Sequence, residues 1–278
     1  MTGRRYLCRR KFWCETMAVK CELIHDNFEN ARVYQIPRAQ LIIADIPYNL
    51  GNAAFASNPQ WWIDGDVNNG ASEKAGKAFF RSDYSFNIIN FFDFCVRLLR
   101  KEPKERGQAP CMIVFCAFQQ IPTVIENAER KGFKHYQQIV FVKNYSPQVL
   151  KANMRLCGAT EYALLLYRDK LPKFNNGGQM FFDWFLWQRD TKDVPKLHPT
   201  QKPVNLLKQL IQLYTDPGDV VIDPCAGSGS TLRAAYELGR NAYGFEIDRE
   251  MCRKAKAAML SGMGEYKPEA AAEQVTLF

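Results

Sequence analysis

The chain has 278 residues, 47 % of them hydrophobic and 24 % charged, with a net charge of +8. This composition excludes collagen-like, disordered and disulfide-scaffold classes, and no apolar run reaches the ~18 residues of a membrane span. Length alone allows one large α/β domain or two smaller ones.

Residues 1–20 hold Arg4, Arg5, Arg9, Arg10, Lys11 and Lys20 against Glu15, so five of the eight net positive charges lie there. The body is therefore only mildly basic and would bind a polyanion through a local patch rather than through bulk charge. Arg and Lys interrupt the arm before an apolar core can form, which argues against a secretory signal. It reads as a basic leader, with Met17 as an alternative start. The nine cysteines are scattered without a C-x-x-C pair, which suggests reduced thiols in a cytoplasmic protein. Three histidines, His25, His135 and His198, give no basis for a zinc site.

The first strand is predicted at 41–44. Directly after it stands Asp45-Ile46-Pro47-Tyr48. A carboxylate at a strand's C-terminal end lies where open α/β sheets place ligands. Pro47 sets the turn and restricts Ile46 to extended geometry. A carboxylate, a backbone carbonyl and the Tyr48 ring together suit an exocyclic amino group on a planar base: the oxygens accept from the NH₂ and the ring stacks. A proline turn capped by Asp explains the same residues without a ligand. Residues 49–83, rich in Asn, Gly, Ser and Asp with Trp61 and Trp62, are long enough to be a lid or a disordered insert.

Apolar residues at helical spacing predict a helix over 86–99. Unalternated apolar runs at 111–117, 139–142 and 162–167 read as strands buried on both faces. Between the first two of these runs, 122–130 opens on proline at a first-turn position and reads as a helix. Residues 168–197 break the rhythm. Asn175-Asn176-Gly177-Gly178 precedes Phe181, Phe182, Trp184, Phe185 and Trp187, aromatics that are either core or base-stacking platforms in a small inserted subdomain. A helix over 203–214, a strand at 220–222, a helix over 231–238 stopped by Gly239 and a strand at 242–247 follow. Strands alternating with helices imply βαβ units and a mainly parallel sheet.

The turn after 220–222 is Asp223-Pro224-Cys225-Ala226-Gly227-Ser228-Gly229-Ser230. Gly227 and Gly229 let the backbone approach a ligand closely. Leu232 stands where a dinucleotide fingerprint needs Gly or Ala, and no Lys-Ser/Thr follows, so neither that fingerprint nor a P-loop fits. Glu246, at the end of the next strand, can accept from both ribose hydroxyls, with Asp248 close by. Together these suit a nucleoside ligand without a pyrophosphate. The plain alternative is a glycine turn beside a solvated acid.

Asp45-Ile46-Pro47-Tyr48 resembles the catalytic D-P-P-Y motif of DNA amino-methyltransferases, and the turn from Asp223 to Ser230 resembles their S-adenosylmethionine loop. Between them, His198-Pro199-Thr200-Gln201-Lys202-Pro203 matches a hallmark of the permuted β-class of that family. The order of motifs differs from that of protein and RNA amino-methyltransferases, in which the cofactor loop comes first. Lys143-Asn144 and Glu161 also resemble family positions. The resemblance covers residues 41–260. Ile46 replaces the first proline of the motif, and Cys225 replaces the usual Phe of the cofactor loop.

The resemblance implies a Rossmann-like methyltransferase fold, α/β in class, with a mainly parallel twisted sheet and helices on both faces. It divides the chain into a catalytic half at 21–167, a target-recognition insert at 168–197, a cofactor half at 198–260 and a flexible tail at 261–278. It implies site-specific methyl transfer from S-adenosylmethionine to N6 of adenine in DNA, on a base flipped out of the duplex. Tyr48 would stack on that base, while Asp45 and the Ile46 carbonyl accept the amino hydrogens across the Pro47 turn. Gly227 and Gly229 would admit the cofactor, with Cys225 and Ser230 in the same loop. Asp223 would meet its methionine end, Glu246 its ribose, and Lys202 with Thr200 its carboxylate. Thr200 and Lys202 could instead cap the helix that follows. Cytosine-N4 methylation and a DNA-binding relative without catalysis are the alternatives, and a homodimer is the expectation. The terminal Gln274-Val275-Thr276-Leu277-Phe278 resembles the Q-x-x-L-F peptide that docks bacterial DNA enzymes on the sliding clamp. Leu277 and Phe278 could instead fold back on the protein's own core.

Overall fold

The computed structural model describes residues 19–48, 86–145, 156, 158–198 and 200–263. The loop expected at 49–83, most of the basic arm, and Gln274, Leu277 and Phe278 lie outside the described residues.

Apolar runs with no polar interruption build the middle of the sheet. β2 (Leu41–Asp45) and β3 (Cys111–Cys116) alternate between two cores: Leu41, Ile43, Ile113 and Phe115 face one, while Ile42, Ala44, Met112 and Val114 face the other. Strands buried on both faces read as continuous hydrophobic runs for this reason. The other strands are β1 (Cys21–Ile24), β4 (His135–Lys143), β5 (Thr160–Tyr167), β6 (Trp184–Trp187), β7 (Val220–Asp223) and β8 (Asn241–Phe245). Among the described residues they form one eight-stranded sheet in the order β1-β8-β7-β2-β3-β5-β4-β6. Neighbours run parallel, except that β5 runs antiparallel to both β3 and β4. The mainly parallel Rossmann-like sheet expected from the sequence is therefore present, with one reversed strand.

Helices cover both faces. α1 (Ile88–Leu98) and α2 (Ile121–Arg130) pack on the core that contains Ile42 and Met112. α3 (Val204–Tyr214), α4 (Ser230–Glu237) and α5 (Arg249–Lys254) pack on the core that contains Leu41 and Phe115. Asn87 caps α1, its side-chain oxygen accepting from the amides of Ile89 and Asn90, which satisfies two N–H groups that lack intrahelical partners. Beyond α4 the chain turns at Gly239 with φ +76°, as the sequence led us to expect. Among the described residues no helix is long and apolar enough to cross a membrane.

Three elements depart from the sequence reading. β4 begins at His135, four residues early, because the exposed His135, Tyr136, Gln137 and Gln138 pair through their backbone with β5 and need no apolar pattern. β1 is only four residues long and carries no periodicity. β6 lies inside 168–197 and adds an edge strand beside β4, and Asn175 Nδ2 donates to the Thr215 carbonyl at 2.9 Å just beyond α3. Among the aromatics of this segment Trp187 is buried and Phe181 and Phe185 pack on the core, as the core reading expects, while Phe182 and Trp184 are exposed with their rings stacked 6.2 Å apart.

β7 and β2 are adjacent at the centre of the sheet, and the chain leaves them in opposite directions, from β2 to β3 and from β7 to β8. In open α/β sheets such a switch point opens a crevice at the strands' C-terminal ends. Gly244 in β8 allows the turn beside that crevice to sit close. A Cβ there would lie 2.7 Å from Leu232 Cδ1 and 2.9 Å from Ala226 Cβ. Overpacking of this kind costs ~1–3 kcal/mol. Gly244→Ala is therefore expected to lower Tm by roughly 2–12 °C in a scanning calorimeter. An unchanged Tm would mean that α4 and the turn are loosely seated.

Candidate functional site

The register Leu41↔Val221 and Ile42↔Ile222 sets the turns after β2 and β7 side by side. Asp45 ends β2. The Ile46 amide donates to the Phe115 carbonyl at 3.2 Å, and the Ile46 side chain is buried in the core. Gln120 Nε2 donates to the Pro47 carbonyl at 2.9 Å, while its own Oε1 accepts from the Ala117 amide at 3.0 Å. The turn that carries Asp45 and Tyr48 is thus tied both to β3 and to the segment that follows it.

A line of alternating charge meets this turn. Lys202 Nζ lies 2.6 Å from Asp45 Oδ2 and 3.2 Å from Glu161 Oε2, and the other oxygen of Glu161 pairs with Lys143. Lys202 is 9 % exposed and Asp45 34 %. Aromatic rings wall the ammonium groups: Lys202 Nζ is 5.2 Å from the Phe115 ring and 5.6 Å from Trp187, and Lys143 Nζ is 4.4 Å from Trp187. Burial raises the Asp45 carboxyl above its ordinary value, against the pull of Lys202. Burial would lower the Lys202 ammonium, but Asp45 and Glu161 together hold it well above its ordinary value. Burial would likewise raise Glu161, yet Lys202 and Lys143 outweigh it and hold that carboxyl below the usual range. Among the described residues Asp45 Oδ1 is buried without a hydrogen-bond partner, and so is Glu161 Oε2, whose 3.2 Å approach to Lys202 is an ion pair without a completed hydrogen bond. The Tyr48 hydroxyl is also buried and meets no partner at full hydrogen-bond geometry, but it approaches the Asp45 carboxylate closely enough to favour its ionised form.

The second turn is built around Asp223, which is 3 % exposed and accepts from the Cys225 amide at 2.9 Å. The Ala226 amide donates to the Phe245 carbonyl, fastening the turn to β8. Gly227 and Gly229 have φ of +50° and +80°, a region that disfavours side chains. A Cβ on Gly227 would meet nothing nearer than the Cys225 carbonyl at 4.0 Å, so this turn borders open space. Ser230 opens α4, its hydroxyl 3.0 Å from that of Ser228. Glu246 follows β8 with its carboxylate near the Gly227 amide and accepts from the Asp248 amide at 2.7 Å; burial raises its carboxyl. Asp248 is engaged as the cap of α5, accepting from Met251 at 2.6 Å. An open-sided glycine turn flanked by buried Asp223 and half-buried Glu246 has the donor and acceptor set of a nucleoside site, so the residues fit the cofactor that the motifs imply.

Asp45, Ile46, Pro47 and Tyr48 thus come together with Lys202, and Asp223, Cys225, Gly227, Gly229, Ser230 and Glu246 form the adjoining turn. Lys202 points to Asp45 and Glu161. Thr200 turns to His198, with its hydroxyl 2.8 Å from Nδ1. Neither caps α3. That role falls to Asp190, whose carboxylate accepts from the amides of Val204 and Asn205 at 2.9 and 3.2 Å. Gln120 and Asp190 escaped the sequence reading because nothing local marks them, and Trp187 entered it only as one of the 168–197 aromatics, with no link to Lys202 or Lys143. Glu161 and Lys143 entered only by resemblance, although a charge at the mouth of the apolar run 162–167 was a legible signal.

Residues 39–257 match a protein family described as DNA methylase. The type II methyltransferase M2.LlaDCHI of Lactococcus lactis subsp. cremoris is 28 % identical over 86 % of this chain and 89 % of its own. The DNA adenine methyltransferase YhdJ of Escherichia coli (strain K12) is 29 % identical over 79 % of this chain and 76 % of its own. The crystal structure of an M1.HpyAVI–SAM complex superposes with a TM-score of 0.59 at 22 % identity, covering 85 % of this chain and 97 % of that one, and so shares the fold.

Burial pushes the Asp223 carboxyl up to about 7, against a donor bond from Thr231. The folded state therefore holds this proton more tightly than the unfolded chain does. Its stabilising effect is complete below the unfolded carboxyl's range and is lost as pH rises through 7. Between pH 5 and pH 8 the loss from this group is on the order of 3 kcal/mol. Asp223→Asn is expected to gain stability relative to the parent at pH 8 more than at pH 5 in urea denaturation. An equal difference at both pH values would show that Asp223 ionises normally.

Proposed function

Because the chain belongs to the DNA methylase family, we propose that it transfers a methyl group from S-adenosylmethionine to N6 of adenine in DNA, acting on a flipped-out base at a specific site. The carrying observation is Asp45 Oδ1, a buried carboxylate oxygen without a partner beside Tyr48, one strand from the glycine turn. The similarity to YhdJ supports adenine as the target. The order of Asp45-Ile46-Pro47-Tyr48, then Lys202 in its H-P-T-Q-K-P setting, then Asp223 to Ser230 supports the permuted β-class. No observation favours cytosine N4, which offers a similar amino group, over adenine.

S-adenosylmethionine supplies an electrophilic methyl on a sulfonium whose departure leaves a neutral thioether. With a neutral leaving group, positioning carries most of the acceleration. Asp45 Oδ1 and the Ile46 carbonyl accept the two amino hydrogens, which turns the nitrogen lone pair away from the base. As the N–C bond forms, the surplus proton has Asp45 as its first acceptor. Tyr48 stacks on the base and excludes water. Gly227 and Gly229 would admit the ligand, Asp223 would face its methionine end and Glu246 its ribose hydroxyls, with Cys225 and Ser230 lining the same turn. Lys202, already held by two carboxylates, serves Asp45 first; any contact to the cofactor's carboxylate adds to that role, with Thr200 nearby. A homodimer and a sliding-clamp contact through Gln274, Leu277 and Phe278 complete the proposal, the last three lying outside the described residues.

Tritium transfer from labelled cofactor to DNA, followed by nucleoside chromatography, tests this reading: N6-methyladenine supports it, and N4-methylcytosine or no product rejects it. Asp45→Ala is expected to lose at least ~100-fold in kcat while keeping DNA affinity in a gel-shift assay. Glu246→Ala should raise KM for S-adenosylmethionine roughly 10- to 100-fold, the worth of one charged hydrogen-bonding partner. An unchanged KM would move the ribose contact elsewhere.

A further inference from the structure

We propose that Glu161 is a positioning residue that holds the Lys202 ammonium on one oxygen of Asp45 and so keeps the other oxygen available to the amino group being methylated. The proposal rests on the reading of Asp45 given above.

Lys202 Nζ lies between two carboxylates, 2.6 Å from Asp45 Oδ2 and 3.2 Å from Glu161 Oε2. An ammonium has three donors and no fixed fork, so it moves to wherever negative charge is densest. With Glu161 in place, the charge pulls from two sides and Oδ1 of Asp45 stays without a partner. Without it, Asp45 is the one carboxylate paired to Lys202, and the ammonium shifts to span both of its oxygens. Oδ1 would then accept from Lys202 instead of from the substrate. Lys143 anchors Glu161 from the far side, and Trp187 packs against both ammonium groups. These contacts stop Glu161 from following Lys202.

Charge reinforces the geometry. Asp45 faces Lys202 from the segment before α3, Glu161 from β5, Tyr48 from its own turn, Cys116 from β3, and Asp223 and Cys225 from the turn after β7. Among these Lys202 and, less strongly, the Tyr48 hydroxyl stabilise the Asp45 anion, and Glu161 opposes it. Glu161 therefore both restrains the ammonium and keeps Asp45 more basic than an undivided ion pair would leave it. A more basic carboxylate is the stronger acceptor for the amino hydrogens.

Glu161→Gln preserves shape and removes charge; Glu161→Asp keeps charge on a shorter arm. The full-length protein, labelled with ¹³C at aspartate carboxyls and compared with Asp45→Asn for assignment, reports the titration of Asp45 directly. The expected result is an Asp45 titration at lower pH in Glu161→Gln and near the parent's in Glu161→Asp. Methyl transfer should follow: kcat of Glu161→Gln falls roughly 10- to 100-fold, the acid limb of its pH profile moves down, KM for S-adenosylmethionine stays within about two-fold, and Glu161→Asp recovers part of the rate. An unmoved Asp45 titration in Glu161→Gln, or equal loss in both variants without a shifted acid limb, overturns the proposal and leaves Glu161 as a structural charge. If the parent protein transfers no methyl to DNA, the functional reading fails, and the titration still decides the role of Glu161.

Discussion

Four charges of alternating sign, Lys143, Glu161, Lys202 and Asp45, form a line along the side of the sheet where β2, β3 and β4 end. Taking charges out of water is expensive, and only close pairing offsets that cost. The line therefore constrains everything around it. β2 brings Asp45, β4 brings Lys143, β5 brings Glu161, and the segment before α3 brings Lys202. The anions and cations balance in number, so losing any one member leaves a buried charge uncompensated, a defect worth ~3–5 kcal/mol. A surface network would carry no such penalty, because water would take up the slack.

The reversed strand β5 follows from the same constraint. Antiparallel pairing on both sides points its N-terminal end, with Glu161, toward the C-terminal ends of β3 and β4. In a parallel orientation Glu161 would lie at the opposite edge of the sheet. The wall of rings around the ammonium groups depends on pairing in a similar way. Trp187 lies opposite Lys143 in the β4–β6 register, and the site takes this ring from an edge strand far along the chain.

The two turns at the centre are held by different means. The Asp45 turn adds to its one backbone bond, from Ile46 to Phe115, a clamp of side chain and charge through Gln120 and Lys202. The Asp223 turn is held by backbone, through the bond from Ala226 to Phe245 and the close seat that Gly244 allows. Side-chain clamping leaves Asp45 electrically tunable. Backbone clamping keeps the glycine turn's space open whatever its charges do. Asp223, poised near 7 by burial, adds a titratable group beside that space.

Local chemistry in the sequence was enough to determine the α/β alternation, the buried central strands, the Gly239 stop, and the two turns as candidate sites. Unbroken apolar runs, proline and glycine act over a few residues, so their signal survives in one dimension. The motif order added the relation between the turns and the segment that carries Lys202. Tertiary structure alone decided what Lys202 touches, which residue caps α3, and that Trp187 walls the site. It also decided that Glu161 divides the ammonium of Lys202 with Asp45. These outcomes depend on which strands become neighbours and which way each one runs. Pairing of residues as distant as Asp45 and Lys202 is set by the packing of the whole sheet, and no short window of sequence contains it.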